Sequence, residues 1–120
     1  MNVWEIVFNS LKEQGFDIYP PATKTGECKK PYIVLESGGG YQINNYSSQK
    51  VLYNFYLYVP KNKYSELSDY EASVKNALAQ SPIYPMLLPT GQKENDYFDD
   101  NINAHLRVIT YYNNVRVQHL

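Results

Sequence analysis

Hydrophobic and polar positions along the chain change period several times, and each change predicts an element. Val3, Val7 and Leu11 fall at helical spacing with Trp4 and Phe8 on an adjoining row, so the chain opens with an amphipathic helix. Asn2 stands at its N-cap with Glu5 three residues later, and Gly15 is placed to end it. Residues 16–31, "FDIYPPATKTGECKKP", carry Pro20, Pro21, Gly26 and Pro31 and predict a loop. "YIVLES" (32–37) predicts a short strand with Ile33 and Leu35 on one face. "SGGG" (37–40) then predicts a turn or bulge, and a hairpin turn accounts for it better than a phosphate loop would. A second strand begins near Tyr41, breaks around "NNYSSQ", and a third runs from Lys50 to Val59 before Pro60. Leu67, Tyr70, Val74, Ala77 and Leu78 form a stripe at three-and-four spacing, which predicts a second helix. Ser68 and Glu71 make a capping-box pattern for it, with Ser65 an alternative cap. "SPIYPMLLPTG" reads as a proline-punctuated connector and "QKENDYFDDNIN" as an acidic loop or strand edge. "AHLRVITYYNNVRV" returns to strand alternation, Leu106 and Val108 opposing Arg107.

The order of helix, strands, helix, strands predicts an α+β fold, an antiparallel sheet with two helices packed on one face. Val7, Leu11, Phe55, Leu57, Val74 and Leu78 are the expected shared core. The stretch "VLYNFYLYV" (51–59) does not fit this scheme alone. Val51, Tyr53, Phe55, Leu57 and Val59 occupy one face, yet Leu52, Tyr56 and Tyr58 make the other face greasy as well. A solitary antiparallel sheet normally leaves one face polar. These three residues therefore predict a covered second face, with a sister subunit as the expected cover.

Composition sharpens this picture in two ways. At 120 residues the chain accommodates a single domain spanning 1–120, burying roughly two-thirds of its unfolded surface. Thirteen Tyr stand against four Phe and one Trp, and Tyr suits surfaces that are wet alone and buried in a complex. Eleven basic and twelve acidic residues nearly cancel, so no global field favours nucleic acid or a membrane surface. A lone Cys28 excludes an internal disulfide. Glu5 and Asn9 interrupt the N-terminal apolar stretch, against a signal-peptide core, and no run reaches the length of a membrane span. The Asn45-Tyr46-Ser47 sequon carries no meaning without secretion.

Chemistry is scarce. "ESGGGY" lacks the Lys-Ser/Thr and following helix of a phosphate loop. Cys28 with His105 or His119 sketches a thiol and base that nothing brings together. Glu94, Asp96, Asp99 and Asp100 crowd into seven residues, but without the glycine and final glutamate of a calcium loop. No catalytic, cofactor or metal residue is therefore expected. The four carboxylates are expected to act electrostatically, as a surface facing a channel or a partner.

The short first helix with its "IYPPAT" loop, the "KPYIVLE" strand, and the Tyr- and Val-rich strand leading into "YSELSDYEASVKNAL" resemble one family over most of the chain. The layout is similar to the small tail-terminator and tail-completion (head–tail joining) proteins of long-tailed bacteriophages and phage-tail-like particles. The acidic segment after Pro89 departs from that pattern. The resemblance implies a non-enzymatic ring, typically a hexamer, that caps the tail tube, stops its growth and meets the neck or connector. It implies partners in the tube protein and the neck protein, DNA passing through the channel without specific binding, and a virion location after assembly in the host cytoplasm. Two expectations from other classes stand beside it: a small nuclease or hydrolase built on the 94–100 loop, and a monomeric adaptor.

Overall fold

The computed structural model describes residues 2–43, 48–92 and 94–116. The first helix, α1 (Val3–Glu13), starts where Asn2 Oδ1 accepts a hydrogen bond from Glu5 N at 2.8 Å. It ends in a Schellman motif: Phe16 N donates to Leu11 O and Gly15 N to Lys12 O, with Gly15 at φ +95°. A short strand, β1 (Ile18–Tyr19), is followed by the proline-bearing loop and then by β2 (Tyr32–Ile43) and β3 (Ser48–Pro60). A 3₁₀ turn over Lys61–Glu66 leads into α2 (Leu67–Leu78). Two short strands, β4 (Leu88–Pro89) and β5 (Tyr97–Asp99), precede the long β6 (Ala104–Arg116).

The sheet runs β1-β2-β3-β6, with β4 and β5 both pairing along the outer edge of β6. All pairings are antiparallel except β1 with β2, which is parallel. The α+β class and the placement of both helices on one face follow the expectation. Val7 and Leu11 of α1 and Leu67, Val74, Ala77 and Leu78 of α2 join Ile33, Leu35, Phe55, Leu57 and Ile109 in one buried cluster. Val51 packs against this cluster from its margin. Ile83 and Leu87 of the connector are fully buried in it as well.

Three expectations are corrected. "YIVLES" and the strand expected near Tyr41 are one strand, because the glycines form a bulge and not a turn. The β2–β3 register shifts between Ser37 and Gly40 and then resumes, Gly40 opposite Val51 and Ile43 opposite Ser48. Glycine is needed there: a Cβ on Gly38 would stand 2.7 Å from Asn54 Nδ2. Second, α2 has no side-chain cap, since the preceding 3₁₀ turn supplies its entry; Ser68 and Glu71 serve another partner. Third, residues 16–31 are not loop throughout: Ile18–Tyr19 form β1, and the loop after them is anchored. Cys28 N donates to Ile102 O at 2.8 Å, and the Cys28 side chain is buried. The sequon, Lys93 and His119 lie outside the described residues, as does most of the expected break at "NNYSSQ" (44–49).

The molecule is long, 52 × 27 × 24 Å. Thirteen-residue β3 and β6 extend about 43 Å at 3.3 Å per residue. The helices, of eleven and twelve residues, reach only about 18 Å at 1.5 Å per residue. Even with the connector behind them, the helices leave the far ends of β2, β3 and β6 as a three-stranded arm.

A candidate assembly surface

The face of the sheet away from the helices carries Tyr32, Val34 and Glu36 of β2, Leu52, Asn54, Tyr56 and Tyr58 of β3, and Leu106, Val108, Thr110 and Tyr112 of β6. This follows from strand alternation and from the register Glu36–Asn54–Thr110 and Val34–Tyr56–Val108. Three zones divide it.

Nearest the β1 end, the chain covers itself. Loop 20–31 crosses the face, and Cys28 packs with Tyr32 and Ala104 in a second cluster against Tyr19, Val34, Tyr58 and Ile102. Tyr32 and Tyr58 stack at 4.7 Å, and Tyr19 meets Tyr32 edge-on. The Lys24 ammonium lies 5.6 Å from the Tyr19 and Tyr32 ring centres. Burial pushes the Tyr32 and Tyr58 hydroxyls and the Cys28 thiol above their usual ranges. Tyr58, expected at a subunit interface, is therefore largely engaged within its own chain.

A polar row crosses the middle. The Glu36 carboxylate accepts from Asn54 Nδ2 at 3.2 Å and from Tyr56 Oη at 2.8 Å, and Thr110 Oγ1 donates to Asn54 Oδ1 at 2.9 Å. Burial, then the bond to Glu36, pushes the Tyr56 hydroxyl up to about 12. Tyr56 thus has its polar tip satisfied while its ring remains half-exposed.

Towards the arm, Leu52 and Tyr112 lie opposite one another in the β3–β6 register. The Lys50 ammonium sits 4.4 Å over the Tyr112 ring, and Leu52 is half-buried and belongs to neither buried cluster of the described residues. Of the three residues singled out in the sequence, Leu52 alone joins neither the second cluster nor the polar row.

The acidic segment is more ordered than its composition suggests. Asp96 does not face solvent freely: Arg107 Nε and Nη2 clamp its two oxygens at 2.8 Å each, and Tyr64 Oη donates to it at 2.7 Å. Arg107 Nη1 also reaches Glu71 at 2.9 Å and Ser68 Oγ at 3.1 Å. Lys75 completes the network on Glu71 at 2.6 Å. The Arg107 bonds hold the Asp96 carboxyl below its usual range. Burial pushes Glu71 up, yet the bonds from Lys75 and Arg107 outweigh it and hold that carboxyl low too.

The four carboxylates therefore do not act as a set. Glu94 and Asp100 are exposed, while half-buried Asp99 accepts from Asn101 N in a tight turn. The missed residue is Arg107, whose partners lie 11, 36 and 39 positions away. A charge set between the apolar neighbours Leu106 and Val108 was the one available signal.

Beside the clamp, a cavity of about 440 Å3 opens where β4 and β5 leave a gap along β6, lined by Lys75, Gln92, Glu94, Arg107 and Val108. His105 turns its ring between Tyr64 and Phe98, with Nε2 3.0 Å from Lys61 O. It therefore stands on the helix side of the sheet, across from Cys28. Among the described residues, no three His, Cys, Asp or Glu side chains gather as metal ligands would, and no helix is long and apolar enough to cross a membrane. No protein-family model and no curated protein matches the chain.

Proposed function

We propose that the chain is a non-enzymatic structural protein of a bacteriophage or phage-tail-like particle, forming a ring, most simply of six copies, that caps the tail tube and joins it to the neck. The observation that carries this reading is the arm: β2, β3 and β6 outrun the helical layer, and half-buried Leu52, where the arm begins, joins neither buried cluster of the described residues. A sheet that extends past its own packing layer gains stability when a neighbour completes it. In this reading the partners are sister copies, the tube protein and the neck protein, and DNA passes through without specific contacts. The protein assembles in the host cytoplasm and ends in the virion. The hydrolase alternative draws on the 94–100 carboxylates and finds less support, because Asp96 is saturated by Arg107 and Tyr64.

The test is to purify the chain alone and with its tube protein and to image both by electron microscopy, alongside particles made without it. Rings on tube ends, and tubes of uncontrolled length in their absence, are the expected results. A chain that stays monomeric with tubes present, and whose loss leaves tails normal, would overturn the reading.

A further inference from the structure

The arm has two long edges. On β2, β1 pairs only with Ile33 and Val34, and the Trp4 indole N–H, at 2.9 Å, takes the Leu35 carbonyl. Beyond Leu35, no strand among the described residues lies along β2. On β6, β4 reaches only Tyr111 and Tyr112, and past Asn113 no described strand lies outside it either.

Backbone groups along a strand alternate between its two sides. Ile33 N and Leu35 O point outward on β2, so the register carries the outward set to Ser37 and, past the bulge, to Gly40 and Gln42. Thr110 O points outward on β6, accepting from Thr90 N, which carries the set to Tyr112, Asn114 and Arg116. The two edges stand at one height, since Tyr41, Lys50 and Asn114 share a row and Gln42, Gln49 and Val115 the next.

We infer that the arm pairs edge to edge and head to tail with a second copy of this chain, β2 of one copy running parallel to β6 of the next. The directions agree, because β2 and β6 are both antiparallel to β3. The equal height decides the kind of assembly. Two different edges offset along the strands would climb into a filament, whereas edges at one level are joined by rotation and close a ring. Natural edges are commonly blunted with lysine, proline or inward charges. The segment 36–43 has no lysine or proline, and its one charge, Glu36, is turned onto the sheet face towards Asn54 and Tyr56. The bulge ends before Gly40, so 40–43 is regular. This inference rests on the ring reading above and adds its contact.

Gln42→Pro and Asn114→Pro each delete one outward N–H without removing a donor to β3. Native mass spectrometry of the full chain should give rings for the wild type and monomers for each variant, with circular dichroism unchanged. An equimolar mixture should stop at a dimer, each partner contributing its one intact edge. Hydrogen exchange on the wild type is the measurement that does not depend on the variants folding. The Gln42 and Asn114 amides should slow at least tenfold on going from dilute monomer to ring. Wild-type rings with unslowed amides, or rings formed by both variants, would overturn the edge pairing and leave the ring standing. An Asn114→Pro variant that assembles while Gln42→Pro does not would overturn the head-to-tail order in favour of β2 with β2. A wild type that stays monomeric even on tubes would overturn both.

Discussion

Arg107 joins segments that the sequence keeps far apart: Tyr64 through Asp96, the first turn of α2 through Ser68 and Glu71, and the strap before β5 through Asp96. Its side chain is only 20% exposed. Arg107→Ala would leave Asp96 half-buried without its cation and Glu71 with Lys75 alone, and should lower stability by about 2–4 kcal/mol in urea unfolding. The clamp also fixes a pH dependence. Asp96 and Glu71 have depressed pKa values in the fold, so the unfolded chain takes up protons first as pH falls below about 4–5. Their contribution is complete above that range and is lost as pH falls through the folded values. Arg107→Ala should therefore flatten the acid limb of the stability profile. Gly38 makes a second residue-scale case. Gly38→Ala would push against the Asn54 amide, which Glu36 and Thr110 hold in place. It should cost about 1–3 kcal/mol by thermal melting.

At the scale of elements, the helix-on-sheet layer makes the firmest prediction. Leu78 is 1% exposed at the end of α2, and Leu78→Ala should cost about 2–5 kcal/mol in denaturant unfolding. An unchanged midpoint would contradict the layer. Both helices were legible from periodicity, and the first also from the Asn2 cap and Gly15. The long strands were less so. Three consecutive glycines suggest a chain reversal, but a bulge also absorbs an extra residue while keeping the ladder, and local sequence does not separate the two. Cross-strand partners did so, through the pairing of Gly40 with Val51. The Ser68–Glu71 pattern misled for a related reason. A capping box and an arginine site ask for the same side chains, and the choice was made by Arg107, a strand away. Residues 16–31 carried only loop signals, and nothing local indicated that Cys28 packs beneath the tyrosines.

For the whole molecule, the three greasy positions of "VLYNFYLYV" separate into different fates. Leu52→Asp, at a half-buried position outside both buried clusters, should cost about 0.5–3 kcal/mol, leave the chain folded, and yet abolish ring formation in sedimentation. Tyr58→Asp should instead unfold the second cluster, because Tyr58 stacks on Tyr32 beneath loop 20–31. If Tyr58→Asp kept its stability and Leu52→Asp still formed rings, the division of this face would be wrong. The acidic segment changes in the same way. With Asp96 neutralised by Arg107, repelling charge in a ring would come chiefly from Glu94, Asp99 and Asp100. Salt should then affect assembly more weakly than four free carboxylates per copy would require.

The bond from Trp4 to Leu35 has an optical consequence. Trp4 is the sole tryptophan, it stacks on Phe8 at 4.8 Å, and its indole N–H ends on β2 at the root of the arm. Its emission therefore reports one place, the seam between the first helix and the strand edge. Peeling α1 away would shift that emission to the red before the tyrosines of the opposite face register any change. A stopped-flow fluorimeter could thus time the seam's opening without any label attached to the protein.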